Sequence, residues 1–367
     1  MILWIYDVSM QLSHKVFSEI FSKEMKGDNE DWCFSEQSED AFLIENKVLF
    51  SNVEQSRRKL YKTYSSRRKI APYLIFLPII ALILYLFYFS KTELDSFVAI
   101  CFGPLLSATL IGVVYSFVIT PKLEYTLLYK NSFLPKLIKF FGNFTYTYLP
   151  EDRIDPAIFR ETMILPKHRD CLVEDLFEGK YREISIKFFN LKLLGEIDAD
   201  RDKSVAFKGL GIFIDTGAKR FLGNTVLCPY RRNLHGEVKE HWRLKRVKLV
   251  DPKFEKIFNA FGSDQVEARF LLDPVMMEKL KDLYSKCDTG GLSASFYDNK
   301  VFIMMSSAHD HFEPAPLHIS AMNEQPVLRI KKEIEDVLSI IDILSLYDPQ
   351  KVHEQNSSKP DQETGTA

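Results

Sequence analysis

The sequence predicts an α+β protein: a transmembrane α-helical hairpin followed by a cytosolic domain with an antiparallel sheet and short helices. Three observations carry that prediction. Two long stretches hold no charged residue, "IAPYLIFLPIIALILYLFYFS" from Ile70 to Ser90 and "FVAICFGPLLSATLIGVVYSFVIT" from Phe97 to Thr120. From about Phe144 the pattern changes to the alternation of half-buried strands. Asp-Pro pairs then punctuate short apolar stripes with helical spacing.

Each uncharged run is long enough to span a bilayer, which takes about 20 residues of helix. The link Lys91–Ser96, "KTELDS", is too short to hold a domain, so the runs form a hairpin. Arg57, Arg58, Lys59, Lys62, Arg67, Arg68 and Lys69 precede the first run without an acid among them, and Lys122, Lys130, Lys136 and Lys139 follow the second. The link sets one lysine against Glu93 and Asp95. The bias of basic residues therefore puts both termini in the cytoplasm of a multi-pass cell-membrane protein. Asp7 interrupts the apolar N-terminus, which has no basic leader and is not a signal peptide. Five scattered cysteines without a CxxC pair fit a reducing compartment and argue against a disulfide frame.

The predicted order is an acidic, partly helical extension (1–56), a basic juxtamembrane segment (57–69), spans over 70–90 and 97–120 joined by the loop 91–96, and a membrane-emerging helix (121–144). The cytosolic domain covers 145–346 and a disordered polar tail 347–367. The extension holds six acids between Asp28 and Asp40 and reads as a solvated loop. "REISIKFF" places Ile184, Ile186 and Phe188 on one strand face. "SVAFKGLGIFID" is a second strand, with Gly209 and Gly211 as bulge or crowding points. "HWRLKRVKLV" alternates and then slips register, the mark of a bulge. "GLSASFYDNKVFIMM" is a hairpin turning at Asp298-Asn299.

Asp251-Pro252 opens a helix as cap and first residue. Phe254, Ile257, Phe258 and Phe261 give it a buried face, and Gly262 closes it. Asp264 caps the next helix, with Glu267 at the capping-box position. Asp273-Pro274 starts a third, whose stripe is Met276, Leu280, Leu283 and Cys287. Arg269 is left over, and a local ion pair is its expected use. Ile330, Ile334, Val337, Leu338, Ile341 and Leu344 make the last helix amphipathic.

These segments resemble a bacterial membrane-protein family of unknown function, DUF3137. The resemblance runs from roughly Arg57 to Leu346 and is carried by "AFKGLGIFID", "KRFLGNTVLCP", "VDPKFEKIFNAFGSDQVEARFLLDP", "SFYDNKVFI" and "FEP". The motif positions are Gly209, Gly223, Asp251, Pro252, Phe254, Glu255, Asp264, Gln265, Glu267 and Arg269, all read as structural. The chain departs from the pattern in its N-terminal extension and at Gly211-Ile212, where aromatic residues are commoner. The resemblance implies two membrane helices and a cytosolic domain, and brings no activity with it.

Catalytic signatures are absent: there is no P-loop, no dinucleotide fingerprint, no GxSxG and no HExxH. His309, His311 and Glu313 alternate in "SAHDHFEP" and would share a strand face, a weak metal site whose bland reading is a polar loop. His168 and Cys171 lack the third group that a nucleophile needs. Arg231 to Lys248 holds seven basic residues against Glu237 and Glu240. Arg231, Arg232, Lys245 and Arg246 are thus a candidate surface for anionic headgroups or a protein partner, with too few aromatics for nucleic acid. Ala108, Gly112 and Ser116 form a small-residue face suited to packing within the hairpin or between copies. The expected role is a membrane-anchored binding or scaffold module without cofactor. The alternatives are a metal-dependent enzyme using His309, His311 and Glu313, and a homo-oligomeric pore.

Overall fold

A computed structural model of the chain describes residues 41–88, 93–150, 159, 161–195, 205–217, 220–229, 244–287, 291–344 and 346. The acidic run 28–40, Arg231, Arg232 and the tail from 347 lie outside them. Contacts divide the chain into two compact units, residues 1–129 with 314–327, and residues 130–313 with 328–367.

The first unit is built on two helices, α1 (Ala41–Tyr88) and α2 (Glu93–Leu128). No break separates the end of the extension, the basic run and the apolar run: α1 is continuous over 48 residues, about 72 Å at 1.5 Å per residue. Helix α2 starts at Glu93, inside the predicted loop. The pair closes where Ala71 and Ile75 meet Val114 and Val118. Arg67 lies over the Phe117 ring at 4.4 Å and donates to the Phe117 carbonyl at 2.9 Å. Among the described residues one helical stretch, Thr109–Phe141, is long and apolar enough to cross a membrane. That stretch overlaps the predicted span 97–120 from Thr109 on, and among the described residues no second stretch passes the same test.

One member of the basic run is buried and structural. Arg57 is buried; its Nε and Nη2 each donate to Glu54 at 2.7 Å, and its Nη1 donates to the Leu317 carbonyl at 2.6 Å. Glu54 also accepts from Arg58 at 2.7 Å and from the Ala321 N–H at 2.8 Å. These bonds tie the segment Pro314–Val327 to α1.

The second unit opens with a π-turn (Tyr129–Phe133, shared with the end of the first), a four-residue helix α3 (Leu134–Leu137) and a 3₁₀ turn (Ile138–Phe141). Among the described residues nine antiparallel strands follow: β1 (Phe144–Thr147), β2 (Asp170–Tyr181), β3 (Ile184–Leu194), β4 (Val205–Asp215), β5 (Phe221–Pro229), β6 (Lys245–Val247), β7 (Phe258–Gly262), β8 (Leu292–Asp298) and β9 (Lys300–Ser306). Their order across the sheet is β1-β2-β3-β4-β9-β8-β5-β7-β6. One face carries Phe189, Leu191, Val226, Phe261, Phe302 and Met304 under Phe159 and Ile164. The other face carries Phe188, Ile212, Leu227, Ala294, Phe296 and Ile303, all buried. Helices α6 (Pro274–Ser285) and α7 (Glu324–Ile343, from Leu328 on) lie on that face: Phe258 meets Tyr284 at 5.6 Å, and the Phe312 N–H donates to Glu333.

Gly209 and Gly211 are crowding points. A Cβ on Gly209, whose φ is +155°, would stand 2.0 Å from the Met305 carbonyl oxygen. A Cβ on Gly211 would stand 2.5 Å from the Phe189 ring, so the bulk of this core comes from β3 instead of β4. The hairpin turns as predicted, with Asp298 at φ +47°.

One helix is shorter than its pattern predicts. Helix α4 (Pro252–Ile257) stops at Ile257, and Phe258–Gly262 is strand β7, paired with β5 and β6. Phe258, Asn259, Ala260 and Phe261 are all buried, which suits a strand covered on both faces. Gly262 is therefore a strand residue and closes no helix. The register slip predicted around Trp242 lies partly outside the described residues; β6 itself is regular over three.

Glu54 makes the first unit sensitive to acid. Burial raises its pKa, but the Arg57, Arg58 and Ala321 hydrogen bonds outweigh burial and lower it to about 2. The folded state therefore favours the ionised form. That stabilisation is complete above the ordinary value of 4.5 and is lost as pH falls toward about 2. Thermal unfolding of the detergent-solubilised chain should drop in midpoint across that window, and Glu54→Gln should start lower at pH 7 and flatten the dependence.

Candidate functional site

Three aspartates set the site's walls. Asp251 caps α4, accepting from the Lys253 N–H at 2.8 Å, and Lys281 reaches its other oxygen at 3.0 Å. Asp264 caps α5 (Gln265–Leu271) through the N–H groups of Val266 at 2.7 Å and Glu267 at 3.2 Å. Asp273 caps α6 through the Met276 N–H at 2.7 Å. Glu255 reaches back to the Leu249 N–H at 2.9 Å and fixes the strap Lys248–Val250 that leaves β6. Gly223, at φ +71°, sits in the irregular start of β5, where a Cβ would meet Ser263.

Between the strap, α5, the start of α6 and the start of β5 lies an open cleft of about 670 Å³. Its floor is apolar and buried: Phe221, Leu272, Met276, Met277 and Leu344. Its rim is apolar and exposed: Val250 is 93% accessible and Phe270 81%, and Leu222 and Val275 stand out beside them. Single exposed apolar side chains are ordinary, but four around one concavity are the composition of an interaction surface. Burying a Val, Leu or Phe is worth about 1.5–3 kcal/mol each, so this rim has much to gain from a cover.

The rim is also charged. Arg220, Lys248, Arg269 and Lys279 line it against Glu267 and Asp273. Arg269 does not form the expected ion pair; it donates to the Lys248 and Gln265 carbonyls and to the Gln265 amide oxygen, each at 3.3 Å. Among the described residues Arg220, Lys248 and Arg269 have no carboxylate partner. Of the basic surface expected upstream, Lys245 and Arg246 are exposed on β6.

A second cluster is buried and self-contained. Lys130, in the π-turn, is 1% exposed and donates to Asp175 at 2.9 Å and to Glu313. Its ammonium stands 4.7 Å over the Tyr148 ring. Asp175 sits at φ +56° in a bulge of β2, and also accepts from the Tyr146 hydroxyl at 2.5 Å and Asn190 at 2.9 Å. Burial first, then the Asp175 charge, pushes the Tyr146 hydroxyl far up, so it remains a donor. Burial pushes Glu313 up, against the pull of Lys130.

The cluster explains "SAHDHFEP". His309, His311 and Glu313 lie on the loop after β9, Glu313 is engaged by Lys130, and no three metal-ligating groups come together among the described residues. Sequence reading counted Lys130 only among the flanking cations, where it is in fact a buried ion-pair partner, and missed Asp175 altogether. They are 45 positions apart, and nothing local marks either.

A family model, "Protein of unknown function (DUF3137)", matches residues 205–346, a range that contains every residue lining the cleft. No curated protein matches the chain. A solved structure, the mycobacterial trehalose monomycolate transport factor A, TtfA, is 12% identical over 56% of this chain and 89% of its own, with a TM-score of 0.31. A likeness at that level carries no argument about this chain.

Removing one partner of a buried ion pair costs about 3–5 kcal/mol, against about 0–1 for an exposed pair. Lys130→Met should therefore lower the thermal midpoint of the purified chain far more than Lys187→Met, which breaks the half-exposed pair with Glu178. The double variant Lys130→Met with Asp175→Asn should lose less than the sum of the two single changes.

Proposed function

We propose that this chain, whose residues 205–346 belong to the DUF3137 family, is an integral membrane protein that carries a cytosolic binding module. The observation that carries the anchor is the outward surface of the helical pair. Ile70, Tyr73, Phe76, Ile80 and Ile83 of α1 and Val113 of α2 are all exposed, while Ala71, Ile75, Val114 and Val118 make the internal contact. Two helices with so much apolar surface outside have lipid as their natural cover. The uncharged runs 70–90 and 97–120 give that surface its length, and the flanking lysines and arginines favour both termini on the cytoplasmic side. Gly112 faces open space, which suits a second helix from another copy.

The module reading rests on the cleft. It offers apolar contact beside Arg220, Lys248 and Arg269, which have no carboxylate partner among the described residues. That is the chemistry of holding a partner, and membrane tethering places the partner beneath the bilayer.

Topology decides the anchor. With the native cysteines replaced, Glu93→Cys should react with a membrane-impermeant maleimide on intact cells, and exposed Lys253→Cys only after permeabilisation. Recovery of the chain in the soluble fraction, or Glu93→Cys protected on intact cells, overturns the reading.

A further inference from the structure

We propose that the cleft bounded by Lys248–Val250, α5 and the start of α6 takes an acidic, aromatic-bearing peptide segment of a partner protein. The inference rests on the module reading above and names the chemistry of what the module holds. Charge selects the acids: Arg220, Lys248 and Arg269 have no carboxylate partner among the described residues, and Lys279 stands on the same rim. Shape selects the bulky side chains. A concavity of about 670 Å³ floored by Phe221, Met276 and Met277 accepts several large apolar groups. Phe270 and Val250, among the most exposed apolar side chains of the described residues, stand at its mouth, where an inserted aromatic would pack against them.

A bilayer surface fits this site less well. A plane of headgroups cannot fill a concavity, and Glu267 lies among the rim cations, where an anionic lipid surface would repel it. A peptide follows a groove, places its acids opposite the cations, and keeps them from Glu267.

The test uses the full chain in phosphatidylcholine nanodiscs. A random dodecapeptide library is panned against it, and the enriched peptide is synthesised with a fluorophore and titrated by anisotropy. Peptides that set two or more acids beside Trp, Phe or Tyr support the proposal. So does a Kd weakened at least tenfold by Lys248→Glu with Arg269→Glu, and separately by Phe270→Ser. All three replaced side chains are exposed, so an unchanged thermal midpoint shows that the variants fold. Enrichment of basic peptides, no enrichment, or binding indifferent to these variants overturns it. In a Phe270→Trp variant, read as a difference from the parent, the acidic peptide should blue-shift the emission. A shift on exchanging phosphatidylcholine for phosphatidylglycerol, without peptide, would assign the cleft to lipid and overturn the proposal. The Glu93 labelling tests the anchor separately, so an anchored chain that ignores every peptide sinks this inference alone.

Discussion

An ammonium group with almost no access to water is the constraint on which the α+β unit depends. Lys130 cannot remain charged at 1% exposure without anions at contact distance. Meeting that requirement draws three distant parts of the chain together: the π-turn, the bulge of β2 at Asp175, and the loop after β9 at Glu313. Asp175 takes a left-handed backbone conformation to present both its oxygens. Asn190 then joins Asp175 to the His311 carbonyl at 2.9 Å. The loop so fixed places Phe312 against Phe177 and Phe188, at 4.7 and 5.7 Å, on the face that α6 and α7 cover. A π-turn, one residue wider than an α-turn, is a rare departure from the helix and changes which side chain faces inward. Here the side chain is the lysine.

The sheet obeys a second constraint, that both faces are dry. Strands buried on two sides lose the simple alternation of a half-buried strand. Strand β7 shows the consequence. "FNAFG" has apolar residues at positions that also satisfy a helix continuing from Phe254, and only pairing with β5 and β6 decides the matter. The same dryness explains why Gly211 stands opposite Phe189: two large side chains cannot share that layer.

Legibility in the sequence follows the range of the interaction. Caps act over three residues, and Asp251, Asp264 and Asp273 all cap as their spacing predicts. The Asp298-Asn299 turn and the stripe of α7 are equally local. The Lys130 cluster joins residues 45 and 183 positions apart, and no window of the sequence contains it, whereas the strap held by Glu255 is a six-residue contact that went unread. Arg57 shows the intermediate case. Its pairing with Glu54 is a three-residue helical contact and could have been read; its bond to Leu317, 260 positions away, could not. The basic run reads as a topology signal by composition alone, but its one buried member, Arg57, has a structural job that composition does not mark. For the cleft, the segment "FGSDQVEARFLLDP" was legible as punctuation, but the space that the punctuation encloses was not.

That space has a definite origin in α5. The helix has seven residues and one buried side chain, Ala268. Ala268 packs onto Gly262 so closely that a Cβ on the glycine would stand 2.9 Å from the alanine methyl. Contact this close fixes the rotation of the helix about its axis. At about 100° per residue, positions two before and two after Ala268 point about 200° away. Those positions are Val266 and Phe270, 73% and 81% exposed. Turning Phe270 inward would drive Ala268 off the strand and break the caps at both ends. The small residue pair at Gly262 and Ala268 therefore holds a large aromatic side chain out at the mouth of the cleft, and the fold's own packing maintains its exposure.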